Sequence, residues 1–399
     1  MFKRMLCAWF CFIPVVFHAM AMEIKPPSQD ALRVATFNCS LYRPEAGRLI
    51  HDLENDDAQA HMIAEIIQAI RADVMLLNEF DYDESGRALS IFNQDYLGVP
   101  HHGNAPLDYP YRYPVRSNTG VPSGKDLNGD GEMSGGNDAL GFGQFEGQYA
   151  FAIISRYPLD VDKQREFGTF LWRDMPGALL PDSPDTPQAQ DFYTPEMLAI
   201  LPLSSKNHID LPVHLPWGTL HVLASHPTPP TFDGPEDRNG KRNFDEIRLW
   251  KDYISGEDYL YDQYGIKGGL KDDALFVVMG DLNADPFDGD SYPGAIMQLL
   301  EQPRLHPKAA VGEQVPASEG AAINGAKYGP NHKSAPSRDT AAFAGGLRVD
   351  YVLPSNNVTI TGSGVFWPAP DDSQAYLVAR GDHGWVSSDH HAVWVDIQP

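Results

Sequence analysis

The sequence predicts an α/β protein, and three observations carry that expectation. Short apolar runs rich in β-formers recur along the 399 residues; the first two are separated by a segment of helical period. Most of them also end on a polar side chain, as strands do at the rim of an α/β sheet where ligands bind.

Taken in order, Leu32 to Asn38 reads as a central strand that delivers Asn38, a possible oxygen ligand, to the rim. Gln59 to Ala72 places Met62, Ile63, Ile66, Ile67 and Ile70 on one helical face. Asp73 to Glu79 follows as a buried strand, and a carboxylate at the end of such a run is expensive unless it is paired, hydrated or on a metal. Glu79 is therefore a candidate metal ligand.

Residues 100–147 form a long insertion rich in Tyr, Pro, Gly and Asn. Its aromatic density, Tyr109-Pro110-Tyr111-Arg112-Tyr113, argues for order. Within it, Asp126, Asn128, Asp130 and Glu132 alternate, with Gly131 allowing a sharp bend, as at the start of a calcium loop. The end departs from that pattern: Asn137 stands where a bidentate glutamate belongs, with Asp138 one place late. A structural Ca²⁺ clip is expected here, against a plain Asp/Asn/Gly turn series.

Gln148 to Ser155 reads as the next strand, and residues 172–217 as proline-rich connections without an assigned role. Gly218 to Pro227 gives a strand with His226 at its exit. The densest basic cluster of the chain follows, Arg238, Lys241 and Arg242, before a helix through Ile247, Trp250 and Ile254. Arg238 and Arg242 either clamp a phosphate or neutralise Asp233, Glu236, Asp237 and Asp245.

Leu275 to Met279 is a buried strand, after which Gly280 lets the chain turn so that Asp281 and Asn283 project from its end. Two residues apart in an extended segment, they are expected to point the same way. One takes a proton or binds a cation while the other donates to an oxyanion. Residues 303–346 form another loop region; Leu347 to Pro354 then embeds Asp350 among apolar neighbours. Asp389 and His390 precede a closing strand from Ala392 to Ile397. Such an Asp-His pair supplies an acid or base, which a buried Asp350 can orient.

Lys3 and Arg4, an apolar run from Met5 to Val16 and the small-residue site Ala19-Met20-Ala21 predict that residues 1–21 are a secretory signal peptide. Residues 22–399 are then expected to be one secreted or periplasmic domain without stable membrane insertion, and a monomer. Removing Cys7 and Cys11 leaves Cys39, so no internal disulfide can form. The formal charge of −24 repels polyanions at long range and argues against a processive nucleic-acid binder, while favouring cation uptake.

With these residues laid out, the chain resembles the endonuclease/exonuclease/phosphatase superfamily of deoxyribonuclease-like metallohydrolases. The resemblance rests on Thr36-Phe37-Asn38, Leu77-Asn78-Glu79, Ile154-Ser155-Arg156-Tyr157-Pro158, Ser225-His226, Gly280-Asp281-Leu282-Asn283, Arg348-Val349-Asp350-Tyr351-Val352 and Ser388-Asp389-His390, in that order. It implies a four-layer α/β sandwich, two packed mixed sheets flanked by helices, with the site at one rim. It further implies that Asn38 and Glu79 hold a divalent cation with help from Asp389, and that Asp281 and Asn283 position or deprotonate water. His226 and His390 would then stabilise phosphoryl oxygens or protonate the leaving group, Asp350 orienting His390.

Hard oxygen donors with few protein ligands suit Mg²⁺ or Mn²⁺, and nothing resembles a Cys/His zinc site. The expected activity is divalent-metal-dependent hydrolysis of a small or lipid-derived phosphodiester or phosphomonoester by an activated water. Two alternatives stay open: an extracellular nuclease cutting DNA or RNA, and a non-catalytic binding protein on the same fold.

Overall fold

The computed structural model describes residues 22, 24–327, 329, 332–382 and 384–399, so the signal peptide expected at residues 1–21 lies outside the described residues. Thirteen elements position the site. The first sheet contains β1 (Leu32–Leu41), β2 (Val74–Phe80), β3 (Tyr111–Val115) and β4 (Phe151–Ser155). The second contains β5 (Arg165–Glu166), β6 (His208–Leu215), β7 (Gly218–Ser225), β8 (Leu275–Asp281) and β9 (Asp350–Pro354). The chain then returns to the first sheet with β10 (Thr359–Val365) and β11 (Val393–Gln398). Helix α1 (Ala58–Ile70) precedes β2, and α2 (Arg238–Ile254) precedes β8.

The strand orders are β10-β11-β1-β2-β4-β3 and β5-β6-β7-β8-β9. Among the described strands, β1 with β2 and β7 with β8 are the parallel pairs, and each is joined through a helix, the usual parallel connection. Both sheets are therefore mixed. Period-two alternation sorts each strand between two cores. Val34, Val74, Leu76 and Ile153 meet Leu211, Val222, Val277, Met279 and Val352 between the sheets. On the far side of the first sheet, Phe37, Met75, Leu77 and Ile154 pack under Ile63, Ile66, Ile67 and Ile70 of α1. On the far side of the second, Leu223, Phe276, Val278 and Leu353 pack under Ile247, Trp250 and Ile254 of α2. The result is four layers, helix, sheet, sheet and helix.

The termini of the first sheet are fastened by Arg33, which is buried on β1. Its guanidinium pairs with both oxygens of Asp396 at 2.7 and 2.8 Å, donates to Ile70 O at 2.8 Å, and lies 4.2 Å above the Trp394 ring. Removing one partner of such a pair strands a charge in the interior. Asp396→Ala is thus expected to lower stability by about 3–5 kcal/mol, read as a fall in the urea midpoint; a loss below about 1 kcal/mol, the range of an exposed pair, would contradict this.

Two elements depart from the sequence expectations. The 100–147 segment contributes β3, which extends the first sheet by pairing with β4. The 172–217 segment contributes β6, paired along its whole length with β7. Pro212 is tolerated in β6 because its backbone faces the short Pro158–Asp160 segment outside the β5 ladder, where its carbonyl accepts from Asp160 N at 2.8 Å and only one donor is lost.

Candidate functional site

The strand ends converge at one rim. Thr36 and Asn38 on β1 alternate inward, and the β1/β2 register shifts just after Asn38. Irregularities of this kind often re-aim side chains beside sites. On a regular β2, Asn78 faces inward and Glu79 would face outward. Glu79 instead takes a left-handed φ of 57°, which breaks the alternation. Its carboxylate consequently accepts a hydrogen bond from Asn38 Nδ2 at 3.0 Å. The same Nδ2 donates to Asp281 Oδ2 at 3.0 Å, so one carboxamide stands between two acidic groups.

Asp281 closes β8 after Gly280, whose φ of 151° and close approach to β7 require glycine; a Cβ there would lie 2.0 Å from Ser225 O. Around Asp281 Oδ2 stand His226 Nε2 at 3.4 Å and His390 Nε2 at 3.7 Å. On its other side, His390 Nδ1 is 2.9 Å from Asp350 Oδ2, which also accepts from Thr340 Oγ1 at 2.7 Å. Two groups of ligand atoms each fall within 4.8 Å of one another: Glu79, His226 and Asp281, and Asp281, Asp350 and His390.

Electrostatics separates these groups. Burial opposes ionisation of Asp281, but the charge of His390 and the contacts to His226 and Asn38 outweigh it and hold the carboxyl well below the usual range. Burial also opposes a charge on His390, yet Asp350, Asp281 and Asp389 raise its imidazole well above the ordinary value. His226 goes the other way, down to about 4, from burial and then the positive charge of Lys206. It is accordingly neutral, and its approach to Asp281 is not an ion pair. Burial pushes Glu79 up to about 7 despite relief from His390 and Asn38, and Asp350 up to about 6.

These donors fit a divalent cation. Glu79 and Asp281 are two buried or half-buried carboxylates bridged by the N–H groups of Asn38, and Glu79 has no lysine or arginine ion-pair partner among the described residues. Burial is the largest cause raising the Glu79 carboxyl, with Asp281 and Asp389 adding to it and His390 only partly offsetting it, and a hard cation would relieve it. Asp389 is half-buried beside the cluster, and its charge is felt by both Glu79 and His390.

Asn283 is placed differently from the extended-segment expectation. Strand β8 ends at Asp281, and Asn283 has a left-handed φ of 53°. Its backbone N–H caps Asp281 Oδ1 at 2.9 Å, while its side chain donates to Pro227 O at 3.1 Å. That same carbonyl lies 3.4 Å from Lys206 Nζ, a buried ammonium that the sequence reading missed. Its pKa is lowered by burial, against attraction from Glu246, Glu79 and Asp281. The available signal was a lysine immediately before the apolar alternation of β6. Asn78 was also missed as a scaffold residue: its Oδ1 accepts from Thr36 Oγ1 and Asp281 N, both at 3.2 Å, tying the two sheets together beneath the site.

The structure does not bring the two arginines to this cluster through any hydrogen bond among the described residues. Arg242 is engaged by the carbonyls of Leu140, Pro202 and Leu203 at 2.8–2.9 Å, and Arg238 pairs with Glu236. Of the two readings, the contacts present are those of charge neutralisation and loop clasping.

In the 126–138 loop, the Asp126 carboxylate accepts from Gly129 N at 2.7 Å, Asp130 N at 3.2 Å and Gly131 N at 2.8 Å. Asn128 donates to Asp130 Oδ2 at 2.9 Å, and Asp130 Oδ1 accepts from Glu132 N at 2.8 Å. Asn137 is exposed, whereas the late residue Asp138 is buried and accepts from Leu127 N at 2.8 Å. Its Oδ2 is buried without a hydrogen-bond partner. The loop's carboxylates do not form a third tight ligand group among the described residues.

Comparison with known proteins gives the following. The sequence model of the Endonuclease/Exonuclease/phosphatase family matches residues 35–390. An endonuclease/exonuclease/phosphatase from Beutenbergia cavernae DSM 12333 superposes with a TM-score of 0.50 at 16% identity, over 93% of this chain and 72% of that one. An endonuclease/exonuclease/phosphatase family protein from Leptotrichia buccalis C-1013-b gives 0.46 at 14% identity, over 92% and 100%. Sphingomyelinase C from Streptomyces griseocarneus gives 0.44 at 14%, over 92% and 99%. No curated protein matches the sequence significantly. The first of these structures supports the two-sheet fold.

Proposed function

This chain belongs to the endonuclease/exonuclease/phosphatase family, and from that premise we propose that it is an exported Mg²⁺- or Mn²⁺-dependent phosphoesterase. Its substrate in this reading is a small phosphodiester or phosphomonoester, attacked directly by water. The observation that carries the reading is the convergence on Asp281: Asn38 Nδ2 bridges its carboxylate to that of Glu79, His226 Nε2 and His390 Nε2 stand 3.4 and 3.7 Å from its Oδ2, and Asp350 holds the far side of His390.

A phosphoester resists attack because its negative charge repels the nucleophile. Glu79, with Asn38 and Asp389, would hold the cation, which when bound withdraws charge from a non-bridging oxygen. Asp281, kept ionised by its neighbours, accepts the proton of the attacking water. His390 is the proton source for the departing oxygen, and Asp350 fixes it with Nε2 toward Asp281. His226 offers a neutral N–H to a phosphoryl oxygen, and Lys206 lies buried nearby with its Nζ 3.4 Å from Pro227 O. Asn283 caps Asp281 with its backbone and sets the turn that follows.

The charge of −24 favours a small ester over a polynucleotide. Among the described residues no helix is long and apolar enough to cross a membrane, and export rests on the sequence of residues 1–21. The test is an EDTA-controlled screen of the mature protein against plasmid DNA, RNA, a bis-aryl phosphodiester, an aryl phosphomonoester and a phospholipid. The reading expects metal-dependent turnover of an aryl ester; cleavage confined to DNA or RNA would replace it with a nuclease, and cleavage confined to the phospholipid with a lipid-directed enzyme.

The loop at Asp126 is read as a Ca²⁺ clip, supported by the buried, unpartnered Oδ2 of Asp138. Calcium at about 100 times its Kd should then stabilise the protein by about 2.7 kcal/mol through linkage, visible as a rise in Tm that Asp138→Asn reduces. Equal melting temperatures in Ca²⁺ and in EDTA would contradict the clip.

A further inference from the structure

Beside Glu79 lies a set of aromatic side chains that the reaction above does not use. Tyr42 immediately follows β1, and its ring centroid is 4.6 Å from that of Tyr149, at an interplanar angle of 46°. Phe142 continues the row, 6.4 Å from Tyr149 at 30°. Tyr42 is 40% and Phe142 52% exposed, and Tyr149 is half-buried between them. Large rings exposed together call for an explanation that scattered ones do not.

The row is built, not incidental. The Asp81 carboxylate, two residues beyond Glu79 and buried, accepts from Arg43 N at 2.7 Å and from Tyr149 N at 3.0 Å, so one side chain clasps the two loops that carry the tyrosines. Gln148 adds a second clasp, donating to Arg43 O at 2.7 Å while its Oε1 accepts from Gln144 N at 2.7 Å. Tyr149 is held at a φ of 59°, unfavourable for a bulky residue unless its surroundings fix it. Beside Phe142, Gly141 packs backbone on backbone, since a Cβ there would lie 1.8 Å from Ser205 O.

The row adjoins the catalytic rim. Asn78 pairs with Phe151 across β2 and β4, and Phe80 N donates to Ala150 O at 3.0 Å, which sets Tyr149 next to the strand end bearing Glu79. After burial, Glu79 and Asp389 are the largest causes raising the Tyr42 phenol, in keeping with that nearness.

We propose that Tyr42, Tyr149 and Phe142 form a stacking shelf that binds a planar ring carried by the phosphoester, beside the scissile phosphate. This assignment of a substrate class rests on the phosphoesterase reading. An acyl chain gains most in an enclosed apolar channel, whereas these rings are open to solvent and two of them carry hydroxyls. A flat π-system covers such faces directly, and base-aromatic stacking tolerates many ring types.

The test is calorimetric binding in Mg²⁺ of adenosine 5′-monophosphate against ribose 5-phosphate, which differ only in the base. The mature protein should bind the nucleotide about tenfold more tightly. Tyr42→Leu and Phe142→Leu, both at exposed positions, should bring the ratio toward one while ribose 5-phosphate binding stays unchanged. Phenyl phosphate against methyl phosphate, run alongside, distinguishes a nucleotide from a simple aryl ester by which ratio is larger. Equal binding of each pair by the unaltered protein, or ratios retained in both variants, would overturn the shelf. If neither phosphate binds but adenosine does, and both variants lose it, the shelf stands and the phosphoesterase reading falls.

Discussion

Replacing His390 by alanine is expected to lower kcat by about 10³-fold, within the range attributed to a positioned general acid. The imidazole is placed from both sides, by Asp350 at Nδ1 and facing Asp281 at Nε2, and their charges keep it protonated. Removing it takes away the proton donor and also leaves Asp350 buried with only Thr340 beside its Oδ2. A stability loss therefore accompanies the kinetic one, and His390→Asn, which keeps a polar group near Asp350, serves as the second variant. Both should be inactive with cooperative thermal unfolding preserved. Near-full turnover in a folded His390 variant would place the chemistry elsewhere.

The second large effect is expected from Glu79→Gln, which keeps the shape and the contact to Asn38 but removes the charge. Altering groups that merely support a metal ligand changes affinity by about 10–100-fold, so loss of a ligand carboxylate should shift the Mg²⁺ activation midpoint upward at least that far. The substitution also removes a group whose ionisation burial opposes, so the variant should be no less stable in EDTA than the parent. An unchanged metal titration would exclude Glu79 as a ligand.

Much of this architecture was legible because burial and chemistry coincide at strand ends. An apolar run that stops on Asn38, Glu79, His226 or Asp281 reports both a core strand and a rim group, and those residues do meet. What was not legible depends on contacts between segments far apart in sequence. Asn78 bridges the sheets through Thr36 and the Asp281 amide, which no local pattern reveals. Strand β6 was hidden because Pro212 argues against a strand and His208 and Asp210 look solvent-facing, although Ile209, Leu211, Val213 and Leu215 alternate; in the fold, Asp210 is satisfied by Tyr253 and His221 and His208 by Glu246 O.

The basic cluster at Arg238 to Arg242 could not be assigned from sequence for a related reason. Charge density left a phosphate clamp and charge neutralisation both open, because α2 begins there and its burial of polar side chains against loops is not visible in the sequence. Glu246 accepts from Ser205 N at 2.7 Å and Thr228 N at 2.6 Å, while Arg242 fastens the carbonyls of Leu203 in the same loop as Ser205 and of Leu140 in another. The basic side chain that does interact with Glu79 and Asp281 is Lys206, isolated in sequence and recognisable only once β6 and β7 are paired. Likewise the geometry of Asn283 could not be read from strand alternation, because β8 has already ended.

The most direct test of the account is hydrolysis of a bis-aryl phosphodiester by the mature protein, first in EDTA and then with graded Mg²⁺ or Mn²⁺. The arrangement of Asn38, Glu79, Asp281 and His390 predicts no turnover in chelator and saturable recovery with metal. Undiminished turnover in EDTA, or none at any metal concentration on any phosphoester offered, would contradict it.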